Sequence, residues 1–187
     1  MIPEEVLHIV LEKLDENGIT YMVAGSFASN LHGVPRASQD ADVIIESDKR
    51  SLERFIDALQ DRFYADKSMA MDALLHRSMF NILHLDTGFK IDLIFLKRRD
   101  FSEKEFNRRR LSNFLGINRW FISPEDTILS KLEWSKLGES ERQFNDAVNI
   151  AKIQGNKLDV QYLKQWANEL KISKLLDKLF EVINRGE

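Results

Sequence analysis

The sequence changes its pattern at Ser123 and Pro124, and this change limits the folds that the chain can adopt. Ser followed by Pro at the first helical position, with acidic residues in the first turn, is typical of a helix start. Helical spacing then continues over about 124–137, 140–154, 159–171 and 173–184. Helical and strand-like stretches alternate before it. We predict an α/β (α+β) domain over residues 1–122 and a carboxyl-terminal helical region over residues 123–187.

The first 122 residues predict a small mixed β-sheet flanked by helices. Strand-like stretches occupy residues 19–24, 38–46, 79–85 and 89–96, with a strand pair around Gly116. Asp86-Thr87-Gly88 is a typical hairpin turn between two of them. Helical patterns occupy residues 4–17, 27–32, 48–59, 69–76 and 101–110.

The composition excludes several classes of site. Cysteine is absent, so disulfides, thiolate zinc sites and cysteine nucleophiles are excluded. The four histidines share no metal-ligand spacing. No apolar run reaches the roughly 18 to 20 residues that span a bilayer, and the amino terminus lacks the pattern of a secretory signal. We expect no membrane contact and a location in the cytoplasm.

Asp40 and Asp42 form the first candidate site. Residues two apart on a strand point to the same face, so both carboxylates can reach one ion. Magnesium prefers such oxygen ligands, and paired metals can clamp a phosphoryl transfer. Acidic residues are frequent enough here, 30 in 187, that such a pair also arises by chance. The residues around the pair must therefore distinguish the two interpretations.

Two further features favour a site. Gly25 and Ser26 stand where a strand gives way to a helix, a position at which glycine and exposed amides accommodate phosphate. The alternative is that Ser26 only caps the helix and Gly25 only serves the turn. Asp92 lies in the apolar strand Phe89–Leu96, where a carboxylate is costly unless it is paired or binds metal. A structural ion pair with an arginine is the alternative for Asp92.

Residues 24–43 resemble the signature of the nucleotidyltransferase superfamily that includes DNA polymerase beta. Ala24-Gly25-Ser26 is followed by 13 residues and then by Asp40-Ala41-Asp42-Val43, with Ala41 at a position where Ile or Leu is more usual. The family's third acid matches Asp92. The closest likeness is to bacterial minimal nucleotidyltransferases and abortive-infection type toxins. This resemblance implies the nucleotidyltransferase fold.

The resemblance also implies roles for further residues. Arg36 and Ser38 match an arginine and a Ser or Thr that precede the acids in many of these enzymes, and with Gly25 and Ser26 they would bind nucleotide. Lys131 and Asp146 match a lysine and a later acid near the nucleotide in the toxin-type enzymes. For Lys131 the alternative is an ordinary solvated helix residue.

The implied function is a magnesium- or manganese-dependent nucleotidyltransferase. Asp40, Asp42 and Asp92 would hold metal, and a nucleoside monophosphate would pass from a nucleoside triphosphate to an acceptor hydroxyl on a protein, an RNA or a small molecule. The alternative is a non-catalytic nucleotide-binding or regulatory module of the same fold, in a toxin–antitoxin pair for example. Two basic clusters, at residues 97–99 and 108–110, would suit an RNA partner but equally suit solvated surface.

Overall fold

A computed structural model describes residues 1–59 and 61–185. The strands are β1 (Thr20–Val23), β2 (Asp40–Glu46), β3 (Phe63–Ala65), β4 (Met79–His84), β5 (Lys90–Phe95), β6 (Arg110–Phe114) and β7 (Ile117–Phe121). The α-helices are α1 (Pro3–Glu16), α2 (Gly25–His32), α3 (Lys49–Leu59), α4 (Lys67–His76), α5 (Asp100–Asn107), α6 (Pro124–Gly138), α7 (Glu141–Gln154), α8 (Val160–Glu169) and α9 (Ser173–Asn184).

The seven strands form one mixed sheet in the order β3-β4-β5-β2-β1-β7-β6. Two of the pairings are parallel, β2 with β5 and β1 with β7. The others are antiparallel, among them the predicted hairpins β4–β5 and β6–β7. The central pair β2–β5 joins strands that are far apart in the chain, and it positions the candidate site.

The contacts between residues divide the chain into two compact units. The first contains Met1–Ser26 and Ser38–Phe121, and therefore the whole sheet. The second contains Phe27–Ala37 and the described residues from Ile122 onward. The predicted division of the chain into domains 1–122 and 123–187 stays a prediction.

Apolar helix faces build the core of the first unit. In α1, the buried residues recur at helical spacing from Val6 to Leu14, and α3 buries Leu52, Phe55, Ile56 and Leu59 in the same way. These two helices pack against each other. Strand β2 alternates between buried and partly exposed residues, so one of its faces is apolar and the other carries the acids.

The helices that were predicted after Ser123 lie in the second unit. Helix α6 packs along α7, and α9 packs against both α7 and α8. Ser123 caps α6 as predicted, because its hydroxyl accepts a hydrogen bond from the amide of Asp126 at 3.1 Å. None of the helices in residues 1–59 and 61–185 is long and apolar enough to cross a membrane. A location in the cytoplasm stays a prediction.

Asp126 anchors the start of α6 in the core of this unit, and its removal should destabilise the fold. Its fully buried carboxylate accepts hydrogen bonds from Ser123 Oγ at 2.6 Å and from the Tyr162 hydroxyl at 2.5 Å. Asp126→Ala removes the carboxylate that accepts these two hydrogen bonds. We therefore expect the unfolding free energy to fall by about 2–4 kcal/mol. Urea unfolding measures it. Tyr162→Phe, which removes one of the two bonds, should cost less; equal losses would contradict this account.

Candidate active site

The three candidate aspartates lie on one face of two neighbouring strands. Across the parallel pair β2–β5, Asp42 is the direct partner of Asp92 and Asp40 is the partner of Lys90. Side chains at directly paired positions point to the same side of a sheet, and positions two apart along a strand do so as well. The three acids therefore share one face, although residues 42 and 92 lie 50 positions apart in the sequence.

Gly25 lies directly against the carboxylate of Asp42. Its φ of +56° is in the left-handed region, and a Cβ built on it would lie only 1.8 Å from Asp42 Oδ2. The backbone amide of Ala24 also donates a hydrogen bond to the carbonyl oxygen of Asp42 at 2.9 Å. The start of α2 thus approaches the acid strand at a distance that only glycine permits.

Asp92 forms an ion pair with a lysine of its own strand. Lys90 Nζ donates a hydrogen bond to Asp92 Oδ2 at 2.8 Å and lies 3.8 Å from Asp40 Oδ2. The hydrogen bond to Asp92 raises the pKa of Lys90, an effect that partial burial opposes and that the charges of Asp40, Asp42 and Asp92 reinforce. The ion pair that was the alternative for Asp92 is therefore present, with Lys90 and not an arginine as the partner.

The donor set fits a hard cation. Asp92 is buried, and its second oxygen, Oδ1, has no hydrogen-bond partner among the described residues. A buried carboxylate oxygen without a donor is costly unless a cation or water satisfies it. In the conformation of the described residues, no three Asp, Glu, His or Cys side chains are already gathered around one ion position. Lys90 stands beside the acids instead.

Ser26 and Ser38, the two serines that are predicted to bind nucleotide, both lie in the first unit. Ser38 Oγ donates a hydrogen bond to the carbonyl oxygen of Asp40 at 2.9 Å, so it holds the start of β2. Ser26 is the second residue of α2 and is largely buried. Their roles in nucleotide binding, like those of Gly25, Arg36 and Lys131, stay predictions.

Arg36 and Lys131 meet at Asp146 in the second unit. Arg36 contacts both carboxylate oxygens of Asp146, with Nε at 3.1 Å from Oδ1 and Nη2 at 2.7 Å from Oδ2. Lys131 Nζ donates to Oδ2 at 3.0 Å, and both Lys131 and Asp146 are buried. The alternative of a solvated lysine at position 131 is therefore wrong. Asp146 thus accepts hydrogen bonds from two cationic side chains.

The Asp146 cluster should make stability depend on pH. Burial by itself would raise the pKa of Asp146, but hydrogen bonds from Arg36 and Lys131 and their charges lower it below its ordinary value of 3.8. A carboxyl whose folded-state pKa is lowered stabilises the fold above its unfolded pKa, and this stabilisation is lost as pH falls through the folded-state pKa. The unfolding free energy of wild type should therefore exceed that of Asp146→Asn at pH 7, and the difference should shrink below about pH 4.

Urea unfolding of both proteins between pH 3 and pH 7 measures this difference. Asp57→Asn is the control, because Asp57 is an exposed acid whose ion pair with Lys67 is solvated. A difference between wild type and Asp146→Asn that stayed constant across this range would contradict the assigned direction of the pKa.

Two polar residues of the acid face were not predicted. Lys90 precedes Asp92 by two positions, a spacing that on a strand already indicates a shared face. Asn81 is the partner of Asp92 across the antiparallel pair β4–β5 and is exposed. The sequence predicted the hairpin around Gly88. Counting residue pairs outward from this turn would have placed Asn81 opposite Asp92.

Comparison with known proteins yields matches at the level of structure. No protein-family model matches the chain, and no curated protein matches it in sequence. An antigenic nucleotidyltransferase-like protein from Paracoccidioides brasiliensis superposes with a TM-score of 0.58 at 15% identity, covering 96% of this chain and 92% of its own. The lincosamide antibiotic adenylyltransferase LnuA, with lincomycin bound, gives 0.56 at 15% identity, covering 80% and 97%.

A third structure is that of ANT(2'')-Ia in complex with adenylyl-2''-tobramycin. It has a TM-score of 0.54 at 16% identity, and the match covers 89% of this chain and 97% of that chain. Likeness at such low identity establishes the fold. The fold class predicted from residues 24–43 and Asp92 is confirmed.

Proposed function

Because this chain has the nucleotidyltransferase fold, we propose that it transfers a nucleoside monophosphate from a nucleoside triphosphate to an acceptor hydroxyl. One observation carries the proposal: Asp42 and Asp92 are direct partners on adjacent parallel strands, with Asp40 on the same face. Gly25 lies against them at the start of a helix, where backbone amides favour an anion.

The reaction needs a small number of groups. The acceptor oxygen bonds to the α-phosphorus, the bond from that phosphorus to the bridging oxygen breaks, and pyrophosphate leaves. Magnesium or manganese, held by Asp40, Asp42 and Asp92, would neutralise the charge that develops on the phosphate oxygens. The amides at Gly25 and Ser26 would orient the triphosphate. Asp92 would accept the proton of the attacking hydroxyl.

Arg36 and Lys131 would bind the nucleotide in this proposal. Both are cations that the sequence likeness assigns to nucleotide binding, and their shared carboxylate, Asp146, fixes their side chains in advance. Fixed cations bind phosphate at a smaller entropic cost than free ones. Membership of a toxin–antitoxin pair and an RNA or protein partner stay predictions.

The test is transfer of label by the purified chain. The protein is incubated with magnesium and each of the four α-labelled ribonucleoside triphosphates, with hydroxyl acceptors from three classes: cell-extract proteins, RNA and aminoglycoside or lincosamide antibiotics. The antibiotics are included because one structural neighbour is a lincosamide antibiotic adenylyltransferase with lincomycin bound, and another was solved with adenylyl-2''-tobramycin. We expect label in one acceptor class, release of pyrophosphate, and loss of both with EDTA.

Two outcomes would contradict the proposal. Magnesium-dependent binding of nucleotide without turnover on any acceptor would favour a non-catalytic regulatory module. Release of inorganic phosphate instead of pyrophosphate would mean that the γ-phosphate is the group transferred, which is a different reaction.

A further inference from the structure

Lys90 places a positive charge inside the acid face. Its ammonium group donates a hydrogen bond to Asp92 at 2.8 Å and lies 3.8 Å from the carboxylate of Asp40, which is also its partner in the register of β2 and β5. Lys90 thus forms ion pairs with two of the three candidate metal ligands.

We propose that Lys90 is a built-in counter-cation that competes with the metal ion for these carboxylates and thereby sets the affinity of the site for metal. Lys90 is then a positioning residue, since it acts through Asp40 and Asp92. The inference rests on the proposed function only in taking these acids as the metal ligands.

Electrostatics favours such a role. Three carboxylates on one face repel one another, and an ammonium group between two of them offsets part of that repulsion when no metal is bound. A bound divalent ion would provide more charge than Lys90 does, and the two cations would repel each other. The lysine therefore stabilises the metal-free acids and opposes metal binding.

The two carboxylate oxygens of Asp92 differ in their contacts. Lys90 holds Oδ2 of Asp92, whereas Oδ1 of the same carboxylate is buried and has no hydrogen-bond partner among the described residues. A cation at Oδ1 would therefore displace no hydrogen bond. The Lys90 side chain is 40% exposed, so its flexible stem can carry the ammonium group into water at small cost.

Lys90→Met tests the inference, since methionine keeps most of the stem and removes the charge. Binding of Mn²⁺ to the metal-free chain is followed by electron paramagnetic resonance of the free ion. We expect the variant to bind Mn²⁺ about tenfold tighter or more, because one like charge near the ion has been removed. Lys13→Met is the matched control: its ammonium group lies 2.7 Å from Glu16 on α1, and its loss changes the net charge equally.

Thermal unfolding provides a second measurement. Without metal, Lys90→Met should melt below wild type, because the acids repel one another without their counter-cation. A ligand that binds only the folded state raises the melting temperature in proportion to the logarithm of its concentration over its Kd. Saturating Mn²⁺ should therefore raise the melting temperature of Lys90→Met by more than that of wild type, and circular dichroism at low temperature checks that both are folded.

The outcomes separate this inference from the proposed function. Unchanged or weaker Mn²⁺ binding by Lys90→Met would overturn the role of Lys90, while pyrophosphate release by wild type would still support the transferase. If wild type and Lys90→Met both failed to bind Mn²⁺, with and without a non-hydrolysable nucleoside triphosphate, the metal site itself would be refuted and both proposals would fall.

Discussion

Asp40→Asn is expected to reduce nucleotidyl transfer by about three orders of magnitude, while the folded structure persists. Asparagine matches aspartate in shape but lacks the negative charge that a divalent cation requires. Groups that neutralise charge in a transition state typically contribute a factor of about 10²–10³ to the rate. The side chain of Asp40 is 43% exposed. It lies 3.8 Å from Lys90 Nζ and accepts a long hydrogen bond of 3.5 Å from Ser38 Oγ, so its replacement should alter the unfolding free energy little.

The measurement is pyrophosphate release by wild type and variant under saturating magnesium. Asp57→Asn is the matched control, because Asp57 is an exposed acid whose ion pair is likewise with a lysine. The control should retain full activity. Wild-type activity in Asp40→Asn would refute the metal-binding role of the acid face, whereas loss of activity together with loss of folded structure would identify Asp40 as structural.

The sequence could predict which residues share a face within one strand. Asp40 and Asp42 follow the period of two that every strand obeys, and β2 alternates as that period requires. The pairing of Asp42 with Asp92 has no such local signal. It depends on a parallel contact between β2 and β5, and parallel partners are joined by long crossovers whose register no short pattern records. Only the likeness to a known signature related these two residues.

The burial of polar residues was the feature that the sequence predicted least well. Lys131 lies on a helix, where a lysine is ordinarily solvated, yet it is buried because Asp146 on the next helix supplies its partner. That partner is 15 residues away in the chain, beyond the reach of helical spacing. Strand β3 was missed for a different reason: three residues are too few to show a period, and pairing with β4 defines it.

Gly25→Ala is expected to be the most damaging single-methyl substitution in the first unit. Alanine at a φ of +56° is strained, which costs about 1–2 kcal/mol. In addition, the new Cβ would lie 1.8 Å from Asp42 Oδ2 and 2.7 Å from its Cγ, so the carboxylate must move. We expect a total loss of about 2–4 kcal/mol in unfolding free energy, and a loss of transfer activity because Asp42 no longer faces Asp92.

Gly88→Ala separates the two causes of this loss, which are backbone strain and the collision of the added Cβ with Asp42. Gly88 has a φ of +68° in the hairpin turn, but apart from its two chain neighbours no described residue has a heavy atom within 4 Å of the Cβ that would be added. It therefore reports backbone strain alone, and the excess loss in Gly25→Ala reports the collision with Asp42. Equal losses in the two variants would show that the fit between Gly25 and Asp42 is not tight.

A double-mutant cycle assigns that excess to the Asp42 carboxylate. Asp42→Ala removes the two atoms that lie closest to the added Cβ and leaves only its own Cβ, at 2.9 Å. Gly25→Ala should therefore cost less in the Asp42→Ala background than in wild type, with a coupling of about 1 kcal/mol or more. Strictly additive effects would mean that Gly25 is required for its backbone conformation alone. Coupling would mean that the close approach of α2 to β2 is the reason why glycine precedes the acids, because any larger residue would displace the carboxylate that the site needs.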